Sequence, residues 1–244
     1  MDIYSGNVPY VTTEQMIEVD RAMIEDFNIL LIQMMENAGR NLAHLARDRF
    51  FDGDPRGRRV VVLAGTGGNG GGALVCARRL HNYGANVTAY VTKRIEEFTP
   101  IPKHQFEVLQ KMGVSVLDAA ELANADTPDL VVDGVIGYSL KGDPFGSAGD
   151  MIRWANDADA PILSLDAPSG VDTTTGTVFN PAIKAVATMT LALPKEGLRA
   201  AGVEGQVGEL YLADISVPPE LYSIPSLGLD VGPLFAQGDI IRLR

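Results

Sequence analysis

The chain has 244 residues, 46% of them hydrophobic and 21% charged, which is a globular balance with enough length to bury a sizeable core. A formal net charge of −11 argues against a nucleic-acid binder, because neutralising phosphates needs a basic surface. No uninterrupted apolar run is long enough to cross a bilayer.

In chain order, residues 1–10 read as an extended arm. Thr12-x-x-Gln15 then has the form of a capping box, and Met16, Val19, Met23 and Phe27 recur at helical spacing behind it. A second helix is expected over 30–50, with Leu31, Met34, Met35, Ala38, Leu42 and Leu45 on one face. That face fits core packing or a subunit contact, and a homodimer is the expected assembly. The single cysteine, Cys76, has no partner for an internal disulfide. Together with the lack of a signal-peptide pattern, this fits the cytoplasm. His44, His81 and His104 fall in separate helical patterns without metal-ligand spacing.

Residues 60–80 organise the rest. A β-branched apolar run ends at Gly65, and seven of the nine residues 65–73 are glycine or alanine. Leu74, Val75, Ala77 and Leu80 then mark a helix. Strand, tight loop and helix are the unit that binds anions at a helix N-terminus, and this much glycine implies a close approach to the backbone. Gly65-x-Gly67-x-x-Gly70 also satisfies the dinucleotide pattern, but the next strand runs into Lys93-Arg94 where that pattern expects an acidic residue.

Strands are expected at 60–65, 87–92, 114–117, 129–136, 161–166, 185–193 and 208–214. Helices are expected at 70–83, 103–112 and 147–158, with a short one near 219–222. The fold class is α/β: a Rossmann-like, three-layer, doubly wound and mostly parallel sheet preceded by two N-terminal helices. The chain reads as one domain, with an arm and helices over 1–58, the core over 59–218 and a coil-like tail over 219–244. Three strand ends carry polar groups that such a fold gathers into one cleft: Asn69 in the glycine loop, Asp133 in an apolar run, and Asp166 with Ser169. Oxygen donors of this kind suit a hard cation. Asp172 fits a surface Asx-turn.

These motifs carry a resemblance. Met35-Glu-Asn-Ala-Gly39, the glycine loop, Val132-Asp133-Gly-Val-Ile-Gly137, Asp166-Ala-Pro-Ser-Gly-Val-Asp172, Leu193-Pro-Lys-Glu-Gly197 and Ala213-Asp-Ile-x-Val-Pro218 stand in the order found in the NAD(P)H-hydrate epimerase family, also called the YjeF N-terminal domain family. The chain resembles this family from about residue 11 to 218, and ends too early to hold the dehydratase domain that follows in many bacterial members. The resemblance implies a nicotinamide-nucleotide repair isomerase that interconverts the R and S forms of hydrated NADH or NADPH. It implies a potassium ion held by Asn69, Asp133 and Ser169. It also implies substrate contacts from Gly68, Asn69, Gly70, Gly71 and Gly72, from Gly137, Tyr138, Ser139, Leu140, Lys141, Gly142 and Asp143, and from Asp166. Asp166 is the expected acid and base, protonating the departing C6 hydroxyl and receiving a proton from the water that returns. A separate NAD(P)H-hydrate dehydratase is the expected functional partner.

The glycine loop departs from the family's Asn-Asn-Gly-Gly-Asp-Gly, with Gly68, Gly72 and Ala73 replacing an amide, a carboxylate and a glycine. Each lost acceptor is worth about 1–3 kcal/mol where it is used. A non-catalytic nucleotide-binding or scaffold protein is the alternative those changes favour. An NADP-linked oxidoreductase is a third reading, without a Tyr-Lys or Ser-Tyr arrangement to support it.

Overall fold

A computed structural model describes residues 1–244. Helix α1 (Thr13–Glu25) starts at the expected capping box: Thr12 Oγ1 accepts from the Gln15 N–H at 3.3 Å, and the Thr12 N–H donates back to Gln15 Oε1 at 2.9 Å. Its buried stripe is Met16, Val19, Ala22 and Met23. Helix α2 (Leu31–Phe50) follows, and its methionine- and leucine-rich face is buried from Met34 onward, with Leu31 left exposed. Leu42 and Leu45 enter the main core, while Met34 and Ala38 pack with α1.

The sheet begins with β1 (Arg59–Ala64), which leads through the glycine loop into α3 (Gly68–Asn82), and continues with β2 (Asn86–Val91), α4 (Pro100–Lys111) and β3 (Ser115–Asp118). The chain then crosses back to β4 (Leu130–Gly134), α5 (Gly146–Asp157), β5 (Ile162–Leu165), β6 (Ala187–Leu191), the single turn α6 (Glu204–Val207) and β7 (Glu209–Ala213). The strand order is β3-β2-β1-β4-β5-β6-β7-β8. All pairs are parallel except the last, β7 with β8 (Ile240–Arg242). The doubly wound expectation holds, with one core between the sheet and α2, α3 and α4, and another beneath α5. Successive connections reverse direction between β1 and β4, so the crevice at their carboxyl ends is where such a sheet binds ligands.

The tail packs against the body as a coil and adds one strand to the sheet. Residues 240–242 add an antiparallel edge strand, which the N-terminal arm extends through an Ile3–Arg242 bridge. After the short helix α7 (Pro219–Tyr222), Leu227 and Val231 are buried in the cluster that holds α1 against the sheet. Three residues are too few to show a strand period, so β8 has no signature of its own in the sequence.

Candidate active site

At the switch point the loops after β1, β4, β5 and β6 enclose, with α1 and α2, a cavity of 660 Å³. None of the glycines at 65, 67, 68, 70, 71 and 72 has a positive φ, so left-handed turns are not why they are there. Four of them admit other parts of the protein. A Cβ at Gly65 would overlap the Val135 carbonyl oxygen, one at Gly70 would overlap the Gly65 carbonyl, one at Gly71 would lie 2.5 Å from Met35 Sδ, and one at Gly72 would lie 2.8 Å from Leu165 Cδ2. Gly67 and Gly68 alone have open space beside them. Gly67 caps α3 with no side-chain hydrogen bond, so the first N–H groups of a 15-residue helix face the cavity without a partner from a capping side chain. That is an anion site by both its donors and its dipole.

Asp133 lies in β4, in register with Leu63 of β1 and Ser164 of β5, and is fully buried. Its carboxylate accepts from Val135 N (3.2 Å) and Ser169 Oγ (2.6 Å) on Oδ1, and from Ser164 Oγ (2.8 Å) and Ser169 N (2.9 Å) on Oδ2. Every donor is neutral. Burial pushes the carboxyl above the ordinary aspartate range, opposed by the bonds from Ser169, Ser164 and Val135. Ser169 Oγ also accepts from the Ile136 N–H at 2.8 Å, and Asn69 packs against Gly137 in the same crevice. The Asn69 side-chain amide has a buried nitrogen with no partner. An Asn oxygen and nitrogen are interchangeable by a flip, so this position offers an oxygen equally well. Asp133 and Ser169 are thus bonded to each other around a carboxylate that lacks a counter-charge; both are fully buried and neither lines the cavity, whereas Asn69 does.

Asp166 follows β5 with φ at +65°, a left-handed backbone that turns its carboxylate back into the cavity. Its partner is Lys195, fully buried, whose Nζ is paired with Asp166 Oδ1 and also donates to Leu191 O at 2.9 Å and Thr190 Oγ1 at 3.3 Å. The N-terminal arm holds this lysine's backbone: Val11 N–H donates to Pro194 O, and Glu196 N–H to Val11 O, both at 2.9 Å.

A second carboxylate reaches the cavity from α1. Asp20 accepts from the Tyr138 hydroxyl at 2.5 Å. Burial raises its pKa, the Tyr138 bond and Lys195 oppose the rise, and the charge of Asp166 adds to it. Burial and Asp20 together push the Tyr138 phenol up. Of the loop after β4, Gly137, Tyr138 and Ser139 line the cavity, but Leu140, Lys141, Gly142 and Asp143 do not. Lys141 is exposed, and Asp143 accepts from the Asn180 N–H at 3.0 Å. Gly68, Asn69, Gly70 and Gly72 line the cavity as well, whereas Gly71 is turned toward Met35. Asp172 makes the expected turn, accepting from Thr174 N and Thr175 N.

Residues 31–197 match the family model for the YjeF-related protein N-terminus. The chain belongs to this family. The NAD(P)H-hydrate epimerase of Dehalogenimonas lykanthroporepellens is 39% identical over 96% of this chain and 92% of its own length. The one from Rhodopirellula baltica is 30% identical over 88% and 87%. The bifunctional NAD(P)H-hydrate repair enzyme Nnr of Moorella thermoacetica is 36% identical over 86% of this chain, which spans only 41% of that protein. The crystal structure of yeast ynu0 shares the fold with a TM-score of 0.83 and 26% identity, over 97% of this chain and all of that one.

Within the YjeF-related match lie Asn69, Asp133, Asp166, Ser169 and Lys195; α1 and Asp20 precede it. Sequence reasoning missed both Lys195 and Asp20 as site residues, yet each had a signal. Lys195 closes the apolar run Thr-Leu-Ala-Leu-Pro after β6, and Asp20 stands in the helical series Met16, Asp20, Met23, Phe27. A charge on a stripe due for burial needs a partner.

Proposed function

We infer that this chain is an NAD(P)H-hydrate epimerase, an isomerase acting on the R and S forms of hydrated NADH and NADPH. The observation that carries the reading is the buried Asp166–Lys195 pair in the wall of a cavity that an open helix N-terminus also lines. The free N–H groups of α3, with the backbone of residues 137–139, are suited to the substrate's pyrophosphate. The hydrated ring then lies toward Asp166. Loss of the C6 hydroxyl, pushed by the lone pair on N1, leaves a planar iminium that water re-enters from either side. Asp166, paired with Lys195, accepts the proton of the incoming water.

The donor set of Asn69, Asp133 and Ser169 would suit potassium, with the ion taking the place of one of the four hydrogen bonds that Asp133 accepts. It is all oxygen with a single carboxylate, too little negative charge for a tight divalent site, and no cluster of three His, Cys, Asp or Glu side chains exists elsewhere. Bound there, potassium supplies the positive charge that Asp133 lacks and stiffens the 133–137 segment beneath the substrate loop. The homodimer rests on exposed Ile17, Ile24, Leu30 and Leu31, which form an apolar surface on α1 and the start of α2. No helix is long and apolar enough to cross a membrane, and a buried free Cys76 suits a reducing compartment such as the cytoplasm.

The test is an epimerisation assay in which a separate ATP- or ADP-dependent NAD(P)H-hydrate dehydratase consumes the S form and conversion of R-NADHX is followed. The protein accelerates conversion above the spontaneous rate, more so in KCl than in NaCl. In H₂¹⁸O the epimer formed carries the label, because the hydroxyl oxygen is replaced through the iminium. A rate equal to the blank leaves the nucleotide-binding scaffold, which the missing acidic residue at Gly72 favours.

A further inference from the structure

We propose that Asp20, hydrogen-bonded to Tyr138, is a second proton-transfer residue of this site and serves the face of the ring that Asp166 does not. The proposal rests on the epimerase reading. Inverting C6 through a planar iminium needs the hydroxyl to leave from one face and water to arrive at the other. Asp166 is tied in place by Lys195 and by its own left-handed backbone, so it reaches one side only. As the anionic half of an ion pair it is built to accept a proton, which leaves the reaction without a donor.

Lys195 cannot be that donor. An ammonium has three hydrogens, and Asp166, Thr190 and Leu191 O take all three. Asp20 and Asp166 are the only carboxyl groups lining the cavity, and they enter it from different elements, α1 and the loop after β5. Their surroundings differ as an acid and a base require: Asp166 faces a cation, whereas Asp20 is buried against a neutral phenol. The titratable groups facing Asp20 are Tyr138, Tyr222 of α7, Lys195 and Asp166.

In one direction the Asp20 carboxylic acid gives its proton to the C6 hydroxyl. The C6–O bond breaks, the N1 lone pair forms the C6=N1 bond, and water leaves. A second water adds at C6 from the other side, its proton passes to an Asp166 oxygen, and the electron pair returns to N1. Solvent water then returns a proton to Asp20 and takes the one on Asp166 before the next turnover; the reverse direction exchanges the two roles, and no oxidant or reductant is consumed.

The experiment measures kcat and KM of wild type, Asp20→Asn, Asp20→Glu and Tyr138→Phe across pH, with NADH binding and thermal melting alongside. Asp20→Asn, which can still accept from Tyr138, loses about 100-fold or more in kcat with KM within about threefold. Its NADH affinity and melting temperature stay near wild type, and Asp20→Glu recovers part of the rate. Tyr138→Phe removes a bond that favours the charged carboxylate, so the alkaline fall of kcat moves up by about one pH unit. An Asp20→Asn enzyme with kcat within threefold of wild type overturns the proposal and leaves the epimerase reading intact. So does a loss of NADH binding and melting temperature in step with activity, or an unmoved alkaline limb in Tyr138→Phe. An inactive wild type overturns the epimerase reading and this proposal with it.

Discussion

Asp166→Asn lowers kcat by about 10³-fold and destabilises the fold by about 3–5 kcal/mol, both from one buried charge. The amide keeps the shape of the carboxylate, so the cavity keeps its form. It cannot accept the proton, and it strands the Lys195 ammonium, which is 1% exposed and left with neutral acceptors only: the new amide oxygen, Thr190 and Leu191 O. The two losses separate in the double variant Asp166→Asn/Lys195→Met. Removing both charges restores most of the stability in a urea melt, because replacing a buried pair by apolar atoms is close to neutral. Activity does not return. A double variant as unstable as the single one would show that the stranded charge is not the cause.

Asp133→Asn has the second largest effect, and it falls on stability and cation response more than on proton transfer. The carboxylate accepts four hydrogen bonds; an amide oxygen accepts two, and its nitrogen then faces a donor from Ser164 or Ser169. Two buried donors left without acceptors cost about 2–6 kcal/mol together. The wild-type protein melts higher in KCl than in choline chloride, and Asp133→Asn abolishes that difference. The pH dependence has a definite sign. Burial raises the Asp133 pKa in the folded state, so without a cation its contribution is fully present below the ordinary aspartate range and is lost as pH climbs through the folded value. A cation offsets that loss, so the potassium-dependent rise in melting temperature grows with increasing pH. A potassium effect that shrinks as pH rises would exclude Asp133 as a ligand.

The sheet was legible from the sequence because its strands are short, continuously apolar and separated by helices with clear periods. The same alternation puts Asn69, Asp133, Asp166 and Ser169 near the ends of adjacent strands; Asn69 and Asp166 line the cavity, while Asp133 and Ser169 are buried and do not. What escaped is instructive in physical terms. The reading of the glycine loop expected a ligand against its backbone, but four of its six glycines make room for α2, Val135, Leu165 and the loop itself. Composition reports a close approach without saying what approaches. Lys195 and Asp20 escaped because their meaning depends on partners far away in sequence, 29 residues for Asp166 and 118 for Tyr138. The 140–143 stretch was included because a loop reads as a continuous unit, whereas only its first residues turn into the cavity.

The crossing of α2 over α3 has a consequence for anyone wishing to make this protein more heat-resistant. Exchanging helical glycine for alanine is a standard route, with about 1 kcal/mol recovered per position from backbone entropy. Helix α3 carries four glycines, at 68, 70, 71 and 72, and three of them are closed to that exchange. A methyl group at 70 would strike the Gly65 carbonyl, at 71 it would displace Met35, and at 72 it would press on Leu165 at the cavity wall. Gly68 alone is open, and it lines the cavity at the start of the helix. Thermal robustness and binding-site shape thus draw on the same atoms, and directed evolution for one will be felt in the other.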